Sequence, residues 1–246
     1  MQRSFLTPAP RKLLSSGFAL PPSLVLKLQL QSHPDHEPSP SLPRHRNRSF
    51  TPDRRGRFRP ATHFGTNGDG TIRPGDEAFL TNDGNRYQRG LAFNPATGHL
   101  IMVNRSPIGA ETINIIDGLT GTNVGTLDTC CTAFGGSSSF LYNQIAVAAD
   151  GAIYVGNLTT SGTLVPFNLY RWESETNGQT LVYSGDPRNG SPAAGSTRWG
   201  DTIAVRGGGV DTEVLIAAQS GTLAAILKPS DASMAAFTAT TLKVSV

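Results

Sequence analysis

The chain has few of the features that cross-link a protein or anchor it in a membrane. It has two cysteines, few charged residues and no long apolar run. The two cysteines among its 246 residues, Cys130 and Cys131, are adjacent. A disulfide between neighbours is strained and rare, so free thiols are favoured. A redox or metal site is the alternative, although no histidine or further cysteine lies at a ligand-like spacing. No stretch of about 18 apolar residues occurs, so no transmembrane helix is predicted.

Charged residues make up only 16% of the chain, and they are unevenly divided. Residues 1–60 contain 11 Lys/Arg against three acidic residues, a surplus of eight positive charges. Residues 61–246 contain ten against 15, a net charge of −5. The second part is mildly acidic, and the composition gives no argument that it binds nucleic acid.

Residues 1–62 form a proline- and arginine-rich leader. Ten of the 17 prolines lie there, together with seven arginines between positions 44 and 59. Such a composition buries too little apolar surface to offset the entropy of ordering, so the leader is predicted to be disordered. A secretion signal around Leu13–Leu20 is the alternative, although Pro21 and Pro22 interrupt it. A wrongly assigned start would give a leader of the same character.

Residues 63–246 lack helical periodicity and instead repeat one motif three times. The copies are Tyr87–Phe93, Leu141–Val147 and Trp199–Val205. Aligned on their alanines, they lie 54 and 58 residues apart. An internal repeat of this length is typical of stacked or radial β modules.

Four short strands joined by turns can be assigned to each repeat. The twelve predicted strands are Leu91–Phe93, His99–Asn104, Glu111–Ile116, Thr122–Leu127, Gln144–Ala148, Ala152–Asn157, Phe167–Trp172, Gln179–Tyr183, Thr202–Arg206, Thr212–Ala217, Thr222–Leu227 and Ala236–Val244.

The sequence therefore predicts an all-β, β-propeller-like domain over residues 63–246, with about three four-stranded antiparallel blades. Propellers typically have four to eight blades, so three predict a partial or truncated ring within a larger chain or assembly. One helical turn at Ser230–Ala236 is the only helical expectation.

One polar position of the motif varies and provides the candidate site. Arg89, Asn143 and Asp201 each lie three residues before the repeat alanine. The first strand of each propeller blade lines the central channel, so these side chains are expected to converge near one channel mouth. Together they suit a carboxylate, a sugar or a bound ion. Alternatively, they satisfy backbone groups and hold the blades in register. One of the three positions is occupied by Arg89 rather than by an acidic residue, so no metal or cofactor is predicted there.

Two glycine-rich segments resemble known loops only in part. Asn67–Gly70 partly fits a calcium-binding loop, but Gly65 stands at the first ligand position, so a plain turn is favoured. Gly207–Gly209 lies between two strands and lacks the Lys-Ser/Thr of a phosphate-binding loop.

Hydrolytic chemistry has little support in the sequence. Ser137–Ser139 does not fit a nucleophile elbow, and His99 is the only histidine well inside the repeats, so a Ser-His-Asp triad is not expected. Tyr170 and Trp172 are predicted to pack between blades, with stacking on a sugar as the alternative.

The region Phe64–Val244 resembles a bacterial family of unknown function, DUF4623, found in large repeat-rich proteins. The segments that carry the resemblance are Phe64–Gly70, Arg89–Gly98, Ile116–Gly121, Ala148–Tyr154, Tyr170–Trp172 and Gly200–Gly207. The resemblance implies a propeller-like fold and an extracellular or cell-envelope setting. It implies no catalytic residues.

The functional expectation is a non-enzymatic scaffold of a secreted or surface protein that binds a carbohydrate, small molecule or protein. One alternative is a propeller-type lactonase, other hydrolase or lyase with its site at the channel mouth. Another is an intracellular protein with a basic interaction tail.

Overall fold

The computed structural model describes residues 64–65, 67–80, 87–105, 111–129, 140–188, 197–219 and 222–243. The leader 1–62, Cys130, Cys131 and Ser137–Ser139 lie outside these ranges, and the expectations for them stay predictions. In the described part, no helix is long and apolar enough to cross a membrane.

The described chain is almost entirely β-structure, as the sequence predicts. All twelve expected strands are present, with bounds that differ by up to four residues from those expected. They are β1 (Gln88–Phe93), β2 (His99–Asn104), β3 (Thr112–Asp117), β4 (Asn123–Thr126), β5 (Phe140–Val147), β6 (Ile153–Leu158), β7 (Phe167–Trp172), β8 (Thr180–Gly185), β9 (Ile203–Arg206), β10 (Glu213–Ala217), β11 (Leu223–Pro229) and β12 (Phe237–Lys243).

The helical expectation at Ser230–Ala236 is wrong. This segment is a turn closed by a 2.8 Å hydrogen bond from Ser230 N–H to the Ala236 carbonyl. Asp231 accepts hydrogen bonds from the amide and hydroxyl of Ser233, and Met234 has a φ of 59°, outside the right-handed helical region. The one short helix in the described residues is a 3₁₀ turn at Gly209–Asp211.

The twelve strands form three antiparallel four-stranded sheets, each following chain order. We call them the first sheet (β1–β4), the middle sheet (β5–β8) and the third sheet (β9–β12). Sequential antiparallel neighbours need only short connections, which the Gly- and Asn-rich turns supply. The prediction of three four-stranded antiparallel units is confirmed.

The middle sheet is buried on both faces. All six residues of β6 are buried, and its side chains alternate between two cores. Ile153 and Val155 pack with residues of the first sheet such as Ile101 and Ile113. Tyr154 packs with residues of the third sheet such as Ile216. Successive strand side chains point to opposite faces, so a strand apolar at every position bridges two packed layers.

The first strands of the three sheets lie together. Strand β5 contacts both β1 and β9. Just after the last residues of β5 and β9, the Asp150 carboxylate accepts a 2.7 Å hydrogen bond from the Gly209 amide. The Gly207 carbonyl also accepts a hydrogen bond from the Ala149 amide. The contacts of β5 therefore hold its copy of the repeat motif beside the copies on β1 and β9.

Candidate functional site

Arg89 lies near the start of β1, within an irregular stretch. The pairing of β1 with β2 shifts register between Gln88 and Leu91. The half-buried Arg89 side chain donates from Nη1 to the Gln88 carbonyl at 2.9 Å. A bulge re-aims side chains relative to a regular strand, which is why such irregularities are common beside binding sites.

Asn143 lies in the corresponding irregular stretch of β5. The pairing of β5 with β6 shifts register between Phe140 and Gln144. Asn143 is 3% exposed, and its Nδ2 donates to the carbonyl of Gly200 at 2.7 Å. Its Oδ1 is buried without a hydrogen-bond partner among the described residues. The hydrogen bond from Asn143 thus connects the middle sheet to the segment that precedes the third sheet.

Asp201 lies just before β9 and is paired with Arg198. Both carboxylate oxygens are 2.7 Å from the guanidinium group, one from Nε and one from Nη2. This hydrogen bond raises the pKa of Arg198. Each side chain is about one-third exposed, so the pair contributes little to stability. Its bidentate geometry nevertheless fixes the direction of both groups.

The three sequence-predicted positions are brought together through their neighbours. A Cβ atom on Gly90, next to Arg89, would lie 2.5 Å from the Ile145 amide nitrogen in β5. Asn143 contacts Gly200, which adjoins Asp201. Glycine at position 90 therefore lets β1 approach β5 closely, and the hydrogen bond from Asn143 joins β5 to the segment before β9.

Arg105 is a fourth member that sequence reasoning missed. It directly follows β2, and its amide donates to the Tyr87 carbonyl at 3.0 Å. Its guanidinium carbon lies 4.3 Å from the centre of the ring of Phe140, the first residue of β5. Burial, followed by the charges of Arg89 and Arg198, lowers the pKa of Arg105 to about 10, and Asp201 opposes this shift.

The other aromatic and histidine candidates have structural partners. Tyr170 and Trp172 are fully buried between the first and middle sheets, so packing is confirmed and sugar stacking is wrong. Glu175 accepts hydrogen bonds from Asn94 and Thr97, and one oxygen lies 2.6 Å from His99 Nδ1. This network joins turns of the first and middle sheets.

The two glycine-rich segments are turns. Asp69 accepts hydrogen bonds from the amide and hydroxyl of Thr71, and these bonds lower its pKa. Gly65 has a φ of +86°, and a Cβ there would lie 1.9 Å from the Thr71 carbonyl oxygen. Gly207–Gly209 connects β9 to β10, as expected of a turn.

No family model matches the chain, and no curated protein matches it. Among solved structures, the fold is similar to that of a DUF4623 family protein from Bacteroides eggerthii. The similarity has a TM-score of 0.51 at 18% sequence identity. It covers 65% of this chain but only 36% of the solved chain. The comparison supports the DUF4623-like relation at the level of the fold.

Proposed function

We propose that residues 63–246 form a non-enzymatic, β-propeller-like scaffold of a bacterial secreted or surface protein that acts in adhesion or ligand binding. The observation that carries the proposal is the contact of β5 with both β1 and β9. Arg89 and Asp201 lie at or beside the starts of β1 and β9, and Asn143 lies in the first half of β5. Polar side chains from separate sheets at one location suit recognition of a carbohydrate, small molecule or protein. Fractionation of the source cells checks the proposed setting.

The propeller-like arrangement is supported by the faces of the two outer sheets. The first sheet exposes Leu91 and Phe93, each 57% accessible, on the side away from the middle sheet. The third sheet exposes Leu215 and Leu242 in the same way. In a radial array, such faces pack against further sheets of the same kind, as the middle sheet packs against both neighbours. We therefore propose that further four-stranded sheets cover them.

Two substitutions test the ligand site without disturbing the core. Arg89→Ala and Asp201→Asn are expected to weaken ligand binding at least about 10-fold, because each removes a charge-assisted contact. Their unfolding temperatures should stay close to that of the unsubstituted chain, since neither side chain is buried. The measurement is binding to an array of neutral sugars, sugar acids and peptides, followed by calorimetric titration of the best ligand.

Arg206→Ala is the matched control. Arg206 lies at the far end of β9 with a side chain that is 79% exposed, so its removal should leave binding unchanged. If no ligand on the array binds, the proposed function fails. If Arg89→Ala and Asp201→Asn bind as tightly as the unsubstituted chain, these positions serve only to hold the sheets in register.

A further inference from the structure

Equivalent positions of the repeat motif show how the exposed face of the first sheet relates to the cores. Phe93 of β1 corresponds to Val147 of β5 and Val205 of β9. Val147 packs into the core between the first and middle sheets, and Val205 packs into the core between the middle and third sheets. Phe93 is instead 57% exposed. In the other two sheets, the face equivalent to that of Phe93 therefore packs against the preceding sheet.

The second strand of each sheet gives the corresponding result for the opposite face. Each repeat alanine pairs with one residue of the next strand, which is Ile101, Tyr154 or Leu215. Ile101 and Tyr154 are fully buried in the cores that their sheets share with the following sheet. Leu215, at the equivalent position of the third sheet, is 43% exposed. The face that carries Leu215 therefore corresponds to the faces that pack against a following sheet.

The exposed face of the third sheet contains an apolar groove of about 270 Å³. Its apolar lining includes Ala204, Leu215, Ile226 and Leu242. Arg206 and Glu213, which form an ion pair with each other, border the groove. Because the repeat position at 204 is alanine, β9 leaves space beside Leu215 that a large apolar side chain can occupy.

We infer that the first sheet of one copy of this chain packs on the third sheet of a second copy, with Phe93 seated in the groove beside Ala204 and Leu215. The two exposed faces are the two halves of an interface that the chain already forms twice, between its successive sheets. Both halves lie on one chain, so a second copy supplies the complementary half at each end. This inference rests on the propeller-like arrangement proposed above, and it specifies what covers the outer faces.

Two copies are the number that suits a closed ring. A propeller typically has four to eight sheets, and the described residues of each chain provide three. One copy falls below that range and three copies would exceed it. Two head-to-tail contacts, related by a twofold axis, would cover all four outer faces. No exposed apolar sheet face is then left to drive open-ended assembly.

Analytical ultracentrifugation of the full chain tests the inference. We expect a species with twice the chain mass of 26.0 kDa. Phe93→Lys and Leu215→Asp should each weaken self-association at least about 100-fold, because each buries an unpaired charge in both contacts of the ring. Both side chains are exposed in the single chain, so each variant should keep the circular dichroism spectrum of the folded protein.

Leu164→Asp is the matched control for these two variants. Leu164 is 84% exposed, but it lies in the turn between β6 and β7 of the middle sheet rather than on an outer face. Its replacement by a charged residue should leave the two-chain mass unchanged. A two-chain mass that survives both Phe93→Lys and Leu215→Asp would overturn the inference.

A mixture of the two variants distinguishes head-to-tail packing from the packing of like faces. In a mixed pair, one contact joins two unsubstituted faces and the other brings the two introduced opposite charges together. A two-chain complex should therefore form again when Phe93→Lys and Leu215→Asp are mixed. Loss of association in only one of the two variants would show that like faces pack together, and it would overturn the inference.

The remaining outcomes separate the inference from the function on which it rests. A single-chain mass at every concentration overturns the inference, whether residues 1–62 or another protein then cover the faces. If that single chain binds a ligand of the array, the scaffold function stands without the second copy. A two-chain species that responds to the variants as expected but binds no ligand supports the inference, and only the ligand-binding function fails.

Discussion

Replacing Gly200 by alanine is expected to lower the free energy of unfolding by about 3 kcal/mol or more. Gly200 has a φ of +98°, which a residue with a Cβ atom adopts only at a cost of about 1–2 kcal/mol. Its Cβ would also lie 1.9 Å from the Asn157 carbonyl oxygen, a rigid backbone atom. Any backbone movement that relieved this contact would also disturb the Gly200 carbonyl, which accepts the hydrogen bond from Asn143. Urea unfolding followed by circular dichroism measures the effect.

Gly98→Ala is the matched control for this prediction. Gly98 also has a positive φ, +80°, but no atom lies within 4 Å of the position that an added methyl group would occupy. Its replacement should therefore cost only the conformational part, about 1–2 kcal/mol. Equal losses for the two variants would mean that Gly200 does not press against β6, contrary to the packing described above.

Trp172→Ala is expected to lower the free energy of unfolding by about 4 kcal/mol. The indole is fully buried between the first and middle sheets, with its ring centre 6.2 Å from that of Tyr142. Its Nε1 also donates to the Asp128 carbonyl at 2.7 Å, which joins the chain after β4 to the end of β7. Both the large cavity and the lost hydrogen bond contribute to this cost.

Phenylalanine at the two tryptophan positions separates these contributions. Trp172→Phe loses the Nε1 hydrogen bond and leaves the Asp128 carbonyl without that donor. Trp199 is equally buried, but its Nε1 has no hydrogen-bond partner among the described residues. Trp172→Phe should therefore cost about 1–2 kcal/mol more than Trp199→Phe in thermal or urea unfolding. An equal cost would show that the Asp128 contact does not stabilise the chain.

Strand order was predictable because the signals are local. Short strands such as Ile153–Leu158 lie between segments that contain glycine and small polar residues, and antiparallel neighbours follow from short connections. The starts of β1 and β5 were predicted three and four residues too late. Each of these two strands begins with a register shift, which breaks the alternation of apolar and polar residues on which the prediction depends.

The candidate site was only partly predictable. Arg89, Asn143 and Asp201 could be found because they occupy one position of a repeat, and a repeat predicts equivalent places in the fold. Arg105 lies outside the repeat motif, and its neighbours Phe140 and Arg198 are distant in sequence. An arginine directly after an apolar strand is an ordinary sequence feature. Only the pairing of β5 with β6 and the packing of β1 against β5 reveal its surroundings.

The central claim is that side chains from three sheets form one site where β5 contacts β1 and β9. Nuclear magnetic resonance of the isotope-labelled chain during titration with the tightest-binding ligand of the array tests it most directly. We predict that the amide signals of Arg105, Asn143 and Asp201 shift together and saturate with one dissociation constant. Shifts confined to a single sheet, or centred on Arg206 and Lys228 of the third sheet, would contradict the account.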